Sequence, residues 1–398
     1  MTDMSSAPLH VGVNLLWLVP GVVGGSEEYT VRSLNALHRR GDRSSEVGPP
    51  IRVTLFALRQ FAEAHPDLAA RYPVVAADTD GHSRAERVAR EATWLPRALE
   101  RHGVDLVHHA GGVVPPGPLS ARTPSVLTIH DLQPLVMPEN FSPVKRRWLA
   151  TMLPRSVGRT RLVFTPSDPA SASVVDLLGM PPERVVTVPH GVEPPAVITS
   201  ERRAEVRARY GLSGPTVLYP AIPYRHKDHA TLVEAFARLA ATRPEVTLVL
   251  AGGPGPVEAE LAAHIRASGV GAQVRRTGRV PWADLEVLYD LANVVAVPSR
   301  FEGFGAPALE AMAAGRPLVA ADATALPWVV GSGGLLVDPG DVDAWARTVA
   351  DVLDDPALQD RLSTAAKARA ATFTWDRTAD ALAAGYLRAG AMGEDGGR

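Results

Sequence analysis

The sequence predicts an α/β protein of two doubly wound parallel sheets in tandem. Three observations carry that expectation. Short apolar, β-branched runs alternate with segments of helical spacing. The alternation breaks once, after His190, and resumes at Thr216. The chain has 398 residues, 46% of them hydrophobic, enough for two cores at roughly 150 residues per domain.

In chain order, the first series of strands is expected at residues 9–20, 51–58, 104–109, 125–130, 161–167 and 184–189. Between them helical spacing is visible in Val31, Leu34 and Leu37 after Ser26, and in Val88, Trp94, Leu95 and Leu99 before Gly103. Glu193, Pro194, Pro195 and the charged stretch 201–209 carry no strand signal, which places a boundary there. A second series is expected at 216–221, 246–251, 273–277, 294–298, 318–321 and 335–338. Residues 341–389 read as helix, Ala-rich and punctuated by Pro356, and 390–398 as a flexible tail. The apolar faces of these helices pack most simply on the second domain, with the last helix free to cross back to the first. The expected domains are therefore 1–195, 196–372 and, as crossing helix and tail, 373–398. A pair of Rossmann-like units facing one another is the economical architecture.

Composition excludes several function classes. The 41 Lys and Arg stand against 43 Asp and Glu, a net charge of −2, which argues against sequence-independent binding of nucleic acid. Absence of cysteine removes disulfides, thiolate nucleophiles, zinc ribbons and iron–sulfur clusters, and fits a cytosolic enzyme. Residues 1–8 are polar without a basic start, and the apolar run 11–23 is broken by Asn14, Pro20 and glycines, so neither a signal peptide nor a membrane span is expected.

Ligands of open α/β sheets bind beyond the carboxyl ends of strands, so the residues after each strand are the ones to read. Gly24-Gly25-Ser26-Glu27-Glu28-Tyr29 opens a helix: the glycines admit a phosphate, while Glu27 and Glu28 equally satisfy the helix dipole without one. The G-x-G-x-x-G dinucleotide spacing is missing, and the second strand offers no acid for a ribose. His130-Asp131 ends a strand, as catalytic pair or as a capped strand end; His190-Gly191 has a similar standing. Arg225-His226-Lys227-Asp228-His229 brings cations that reach phosphate oxygens, or else a solvated helix start. His226 and His229 hint at a metal, without a further ligand cluster to support it. Gly252-Gly253-Pro254-Gly255 is a tight turn that admits a ligand closely, or simply turns.

The strongest signal is the segment 298–315. A very apolar strand leads into Glu302, then Gly303, Phe304 and Gly305, then a helix expected from about Ala306 with Pro307 in its first turn and a stop at Gly315. Glu302 lies in the loop and Glu310 in the second helical turn, a spacing that lets both carboxylates point into one crevice beside the amides of 303–305. Carboxylates that accept from hydroxyls, and amides that donate to oxygens, suit a polyhydroxylated ligand.

At these residues the chain resembles the retaining, GT-B-fold glycosyltransferases of family 4, over nearly its whole length. The Glu302 to Glu310 block is similar to that family's E-x7-E signature. Gly24-Gly25, His130-Asp131, Val188-Pro189-His190-Gly191-Val192, Lys227, Ala323-Thr324-Ala325-Leu326-Pro327 and Phe373-Thr374-Trp375 support it. The resemblance implies two facing Rossmann-like domains with the donor cleft between them, the first binding the acceptor and the second the nucleotide sugar. It implies that Glu302 and the 303–305 amides contact the donor sugar, Glu310 the ribose and Lys227 the diphosphate. Gly24 and Gly25 approach the diphosphate from the other domain, and His130 touches the sugar or the acceptor.

The implied reaction is transfer of a hexose from a nucleoside diphosphate sugar to a hydroxyl with retention, without metal or other cofactor. The acceptor is a glycan, a lipid-linked sugar or a small metabolite, and the oligomeric state is left open. Three departures stand out: Ile222 replaces the family's arginine five residues before Lys227, which implies either Arg225 as the substitute or a weaker phosphate clamp; Glu28 stands where a basic residue is common; and Trp328 follows Leu-Pro where Glu is frequent. Asp78-Thr79-Asp80 mimics a metal-binding D-x-D but reads as helix capping. Lys145-Arg146-Arg147-Trp148 is a basic helical patch, a solvated face or a contact for anionic lipid, which would make the cytoplasmic enzyme membrane-peripheral. Competing readings are a sugar-nucleotide epimerase or phosphorylase with the same paired domains, and a nucleotide-sugar-binding protein without turnover.

Overall fold

The computed structural model describes residues 7–42, 50–117 and 122–393. The chain divides into two compact units, one formed by Met1–Gly191 with Trp375–Arg398, the other by Val192–Thr374. Within the second unit the Val192 amide donates to the Phe373 carbonyl at 3.1 Å, so the unit's two ends meet.

The first unit holds seven strands: β1 (Leu9–Leu15), β2 (Ile51–Leu58), β3 (Val74–Ala77), β4 (Leu106–His109), β5 (Ser125–Thr128), β6 (Leu162–Thr165) and β7 (Val185–Thr187). They pair in parallel in the order β3-β2-β1-β4-β5-β6-β7. The second unit holds β8 (Thr216–Tyr219), β9 (Thr247–Ala251), β10 (Val274–Gly278), β11 (Val294–Val297), β12 (Leu318–Ala321) and β13 (Leu335–Val337), parallel in the order β10-β9-β8-β11-β12-β13. Each is an α/β, Rossmann-like unit whose central strands are buried on both faces, as parallel sheets covered by helices require.

Departures from the sequence expectation have local causes. The run 9–20 stops being a strand at Leu15, because Asn14 Oδ1 accepts from the Leu16 amide at 3.1 Å and the Leu15 carbonyl from the Leu18 amide at 3.0 Å, which turns the chain. β3 has no counterpart among the expected strands: it is four residues long, lies at the sheet edge and is only partly buried, so its sequence carries no long apolar run. The expected tail begins too early, since Gly390 and Ala391 complete the helix Trp375–Ala391, and a Cβ on Gly390 would come within 3.0 Å of Leu9. Residues 394–398 of that tail, and 1–6 of the polar start, lie outside the described residues.

The closing helices are Val342–Asp354, Pro356–Ala370 and Trp375–Ala391. Asp341 and Asp355 cap the first two by accepting from the amides of Ala344 and Leu358, both at 2.9 Å, and Pro356 occupies the first turn where its missing N–H costs nothing. The third packs into the first unit. Trp375, Ala379, Leu382, Ala383 and Tyr386 join a core with Val13, Leu34 and Phe164, and a Cβ on Gly385 would meet Phe164 at 2.5 Å. Among the described residues no helix is long and apolar enough to cross a membrane.

Candidate active site

In the second unit, β8 leads to the turn Arg225–Lys227 and β11 to the loop of Glu302, and the two strands are neighbours in the sheet. Lys227 Nζ meets Glu302 Oε1 at 2.6 Å, with the side chains only 19% and 10% exposed. The buried Tyr219 at the end of β8 steadies this turn: its hydroxyl donates to the Lys227 carbonyl at 2.8 Å and lies 3.0 Å from Ser299 Oγ. Burial, with the Glu302 charge second, pushes that phenol well above its ordinary range, so it stays a donor. The Glu302 amide donates to Thr324 Oγ1 at 2.9 Å.

Gly303, Phe304 and Gly305 form the approach to the helix Ala306–Ala313. Gly305 has φ of 99°, and a Cβ there would stand 2.6 Å from Leu326, so both conformation and space demand glycine. The Phe304 ring points into the unit's core, edge-on to Trp328 at 6.3 Å and to Phe373 at 5.7 Å. Trp328, a departure from the family pattern, thereby has a packing role. Glu310 finds a different partner from Glu302: the Tyr289 hydroxyl donates to its Oε2 at 2.7 Å.

The other singled-out residues of this unit have partners of their own. Arg225 pairs with Glu260 at 3.1 Å, both largely exposed, rather than with the Lys227–Glu302 pair. The His226 ring stacks on Tyr224 at 5.6 Å; burial first, then Lys227, pushes its pKa down to about 4, so it adds no positive charge near neutrality. His229 Nε2–H donates to the Ala221 carbonyl at 3.2 Å. Among the described residues no three His, Cys, Asp or Glu side chains group in a way that could hold a metal ion. The Gly252–Gly255 turn is a close approach: Cβ atoms there would fall 2.3 Å from the Ala221 carbonyl and 2.4 Å from that of Pro223. Beside it opens a cavity of ≈ 440 Å³, lined among others by Pro223, His229, Gly252, Pro254, Thr277 and Gly278.

In the first unit, Gly24, with φ of 67°, starts the helix Gly25–Asp42 by accepting from the amides of Glu27 and Glu28. Cβ atoms on Gly24 and Gly25 would meet nothing within 4 Å. Glu27 turns back into the loop, accepting from the Gly21 amide at 2.9 Å and meeting His65 at 3.0 Å, while Glu28 pairs with Arg32 one turn on. The half-buried His130 follows β5, its Nε2–H donating to the Ala110 carbonyl at 3.3 Å, with Trp17 and Tyr29 at 6.3 and 5.5 Å. Burial pushes its pKa down to about 4, and that of His190, 4.4 Å from the Tyr29 ring, to about 3.

Sequence reading missed a buried set at the same strand ends. Asn14 Nδ2 donates to Glu91 Oε1 at 3.2 Å and lies 3.3 Å from His109 Nδ1; burial pushes the Glu91 carboxyl upward. Polar residues scattered over a strand, a helix and another strand give no local signal. The D-x-D segment does not cap its helix: Ser83 does, accepting from the Glu86 amide at 3.3 Å, while Asp80 accepts from the His82 amide at 2.9 Å and Asp78 faces solvent beside Arg59. Of the basic patch, Lys145 sits 4.8 Å over the Phe141 ring and Trp148 lies beneath Arg84 at 5.2 Å, with Arg146 and Arg147 exposed and Met152 and Leu153 buried.

Residues 23–194 match the model of "Glycosyltransferase Family 4" and residues 204–369 that of "Glycosyl transferases group 1". The chain is 30% identical over 290 residues to an O-antigen chain mannosyltransferase B of Escherichia coli, covering 72% of this chain and 74% of that protein. It is 31% identical over 410 residues to a D-inositol 3-phosphate glycosyltransferase of Kineococcus radiotolerans, covering 93% and 91%. The crystal structure of Anabaena HepE in complex with UDP and glucose superposes with a TM-score of 0.73 at 21% identity, over 94% of this chain and 98% of that one, a likeness of fold. With its two Rossmann-like units, its Glu302 to Glu310 block and these relatives, the chain belongs to the group 1, family 4 glycosyltransferases and is a GT-B glycosyltransferase.

Proposed function

We propose that the protein transfers a hexose from a nucleoside diphosphate sugar to an acceptor hydroxyl, with retention at the anomeric carbon and without a metal ion. One observation carries the reading: the Lys227–Glu302 pair, 2.6 Å apart and largely buried, at neighbouring strand ends beside a helix start. An ammonium and a carboxylate so placed suit the two parts of such a donor. The cation takes the charge that develops on the diphosphate as its bond to the anomeric carbon breaks, while Glu302 accepts from the sugar hydroxyls and the 303–305 amides face the sugar oxygens. Glu310, oriented by Tyr289, accepts from the ribose. The nucleoside enters the ≈ 440 Å³ cavity, within the ~300–1,000 Å³ usual for ligand sites.

His130 acts as a neutral ring. With Nε2–H committed to Ala110, its Nδ1 lone pair accepts from a sugar or acceptor hydroxyl. Gly24 and Gly25 leave open space at their helix start for a substrate oxygen. Hexose and nucleotide donor follow the mannosyltransferase relative and the UDP and glucose in the HepE structure. The test is a panel of UDP-, GDP-, ADP- and TDP-sugars offered with hydroxylated acceptors, with and without EDTA. Release of nucleoside diphosphate should coincide with a product of unchanged anomeric configuration by NMR, and Glu302→Ala should abolish it. Interconversion of the donor without acceptor, or binding without release, would replace transfer by epimerisation or by a binding role.

A further inference from the structure

Among the described residues only two that are not glycine hold positive φ: Asp228 at 48° and Thr324 at 49°. Both adjoin the Lys227–Glu302 pair. Asp228 follows Lys227 in the chain, and Thr324 accepts from the amide of Glu302. A left-handed backbone is unfavourable for a residue with a Cβ and persists only where its surroundings impose it.

At Asp228 the imposing contacts converge on one oxygen. Arg300 Nε donates to Asp228 Oδ2 at 2.6 Å and Thr231 Oγ1 donates to the same atom at 2.8 Å, on a side chain 8% exposed. The Arg300 amide also donates to the His226 carbonyl at 2.8 Å. Arg300 thus grips the turn on both sides of Lys227, by main chain at 226 and by side chain at 228. It stands two residues before Glu302, so one residue ties down the loops that carry both members of the pair. A guanidinium, which presents Nε–H in a fixed plane, suits this task better than the flexible point charge of lysine.

We propose that Arg300, acting through Asp228, is a positioning residue for Lys227: it fixes the left-handed turn so that the ammonium stands beside Glu302 where the donor's diphosphate is received. The inference rests on the functional reading above, in which Lys227 takes the diphosphate. Its rival is a direct contact of the half-exposed Arg300 guanidinium with that group.

A double-mutant cycle separates the two. Calorimetry on the full chain measures the affinity for inorganic pyrophosphate, UDP and GDP in Arg300→Ala, Asp228→Ala and the double variant, with Lys227→Ala as reference. Each single variant should weaken the diphosphate probe that binds by about tenfold, the size of one charge-assisted hydrogen bond, and the double variant should be no weaker than either single one. Asp228→Asn, which tolerates left-handed backbone and keeps an acceptor, should recover most of the affinity and also serves should Asp228→Ala fail to fold. Effects that add in the double variant, or unchanged affinity in both singles while Lys227→Ala loses binding, overturn the positioning role. Unchanged affinity in Lys227→Ala instead overturns the functional reading, and a chain that binds none of the probes overturns both.

Discussion

The Tyr289 hydroxyl lies 2.7 Å from Glu310 Oε2, linking the helix Trp282–Leu291 to the helix Ala306–Ala313. Burial first, and the Glu310 charge second, hold this phenol protonated, so it orients the carboxylate at every working pH. Tyr289→Phe should raise the donor KM about tenfold, the worth of a hydrogen bond to a charged group, with kcat little changed. An unaltered KM would show that Glu310 is placed by other contacts.

Lys227→Ala removes the cation of the proposed diphosphate site and leaves Glu302, 10% exposed, without its 2.6 Å partner. Turnover should fall by about 10²–10³, the usual loss for one preorganised charge-stabilising group. Steady-state release of nucleoside diphosphate measures it, and near-normal rates would remove Lys227 from the mechanism.

Gly305→Ala forces a Cβ within 2.6 Å of Leu326 Cδ2 on a backbone at φ of 99°. Overpacking and strain together should cost about 2–4 kcal/mol in chemical denaturation and displace the loop of Glu302, lowering activity as well. Gly24→Ala has the same left-handed backbone problem but open space around it, so its stability loss should be smaller.

Acid should destabilise the protein early. Burial pushes His108, His109 and His190 down to about 3, and His130, His226 and His229 down to about 4. An unfolded chain titrates its histidines near ~6.5. Between those values the unfolded chain binds more protons at these histidines than the folded one, so their contribution to stability falls as pH drops through about 6.5 toward 4 and is level above about 7. Each histidine contributes a slope of up to ~1.4 kcal/mol per pH unit in that window. Calorimetric Tm against pH tests it; a Tm flat below pH ~6 would contradict burial of these rings as neutral groups.

Asp78→Ala should be nearly silent, within about 0.5 kcal/mol in stability and without effect on turnover. The side chain is 85% exposed and meets only an exposed arginine at 3.3 Å among its described ion pairs. A loss of activity reversed by added divalent cation would revive a metal role for the segment.

Periodicity made most of the fold legible, because parallel strands buried on both faces are written as unbroken apolar runs; Leu318–Ala321 was readable to the residue. Edge strands are not written that way, which is why Val74–Ala77 went unseen. The candidate site was legible where neighbours in sequence act together, as in Glu302, Gly303 and Gly305 around one helix start. It was illegible where a contact joins distant strands. Nothing local indicates that Lys227 meets Glu302, that Arg225 turns to Glu260, or that a tyrosine in an apolar helix serves Glu310. Asp228 and Arg300 both lay within segments marked as important, yet their partnership arises only from the adjacency of β8 and β11.

The first sheet borrows a wall from the far end of the polypeptide: Tyr386, wholly buried, shares a 2.7 Å hydrogen bond with His108, and Arg161 reaches the Ala389 carbonyl at 2.8 Å. A nascent chain that has left the ribosome only through Gly191 therefore carries an uncovered apolar trough along Val13, Leu34 and Phe164. The contiguous second unit can mature before the first is finished. The later unit is thus complete before the earlier one, and a premature stop at Trp375 leaves an intact second unit beside an unsealed first one.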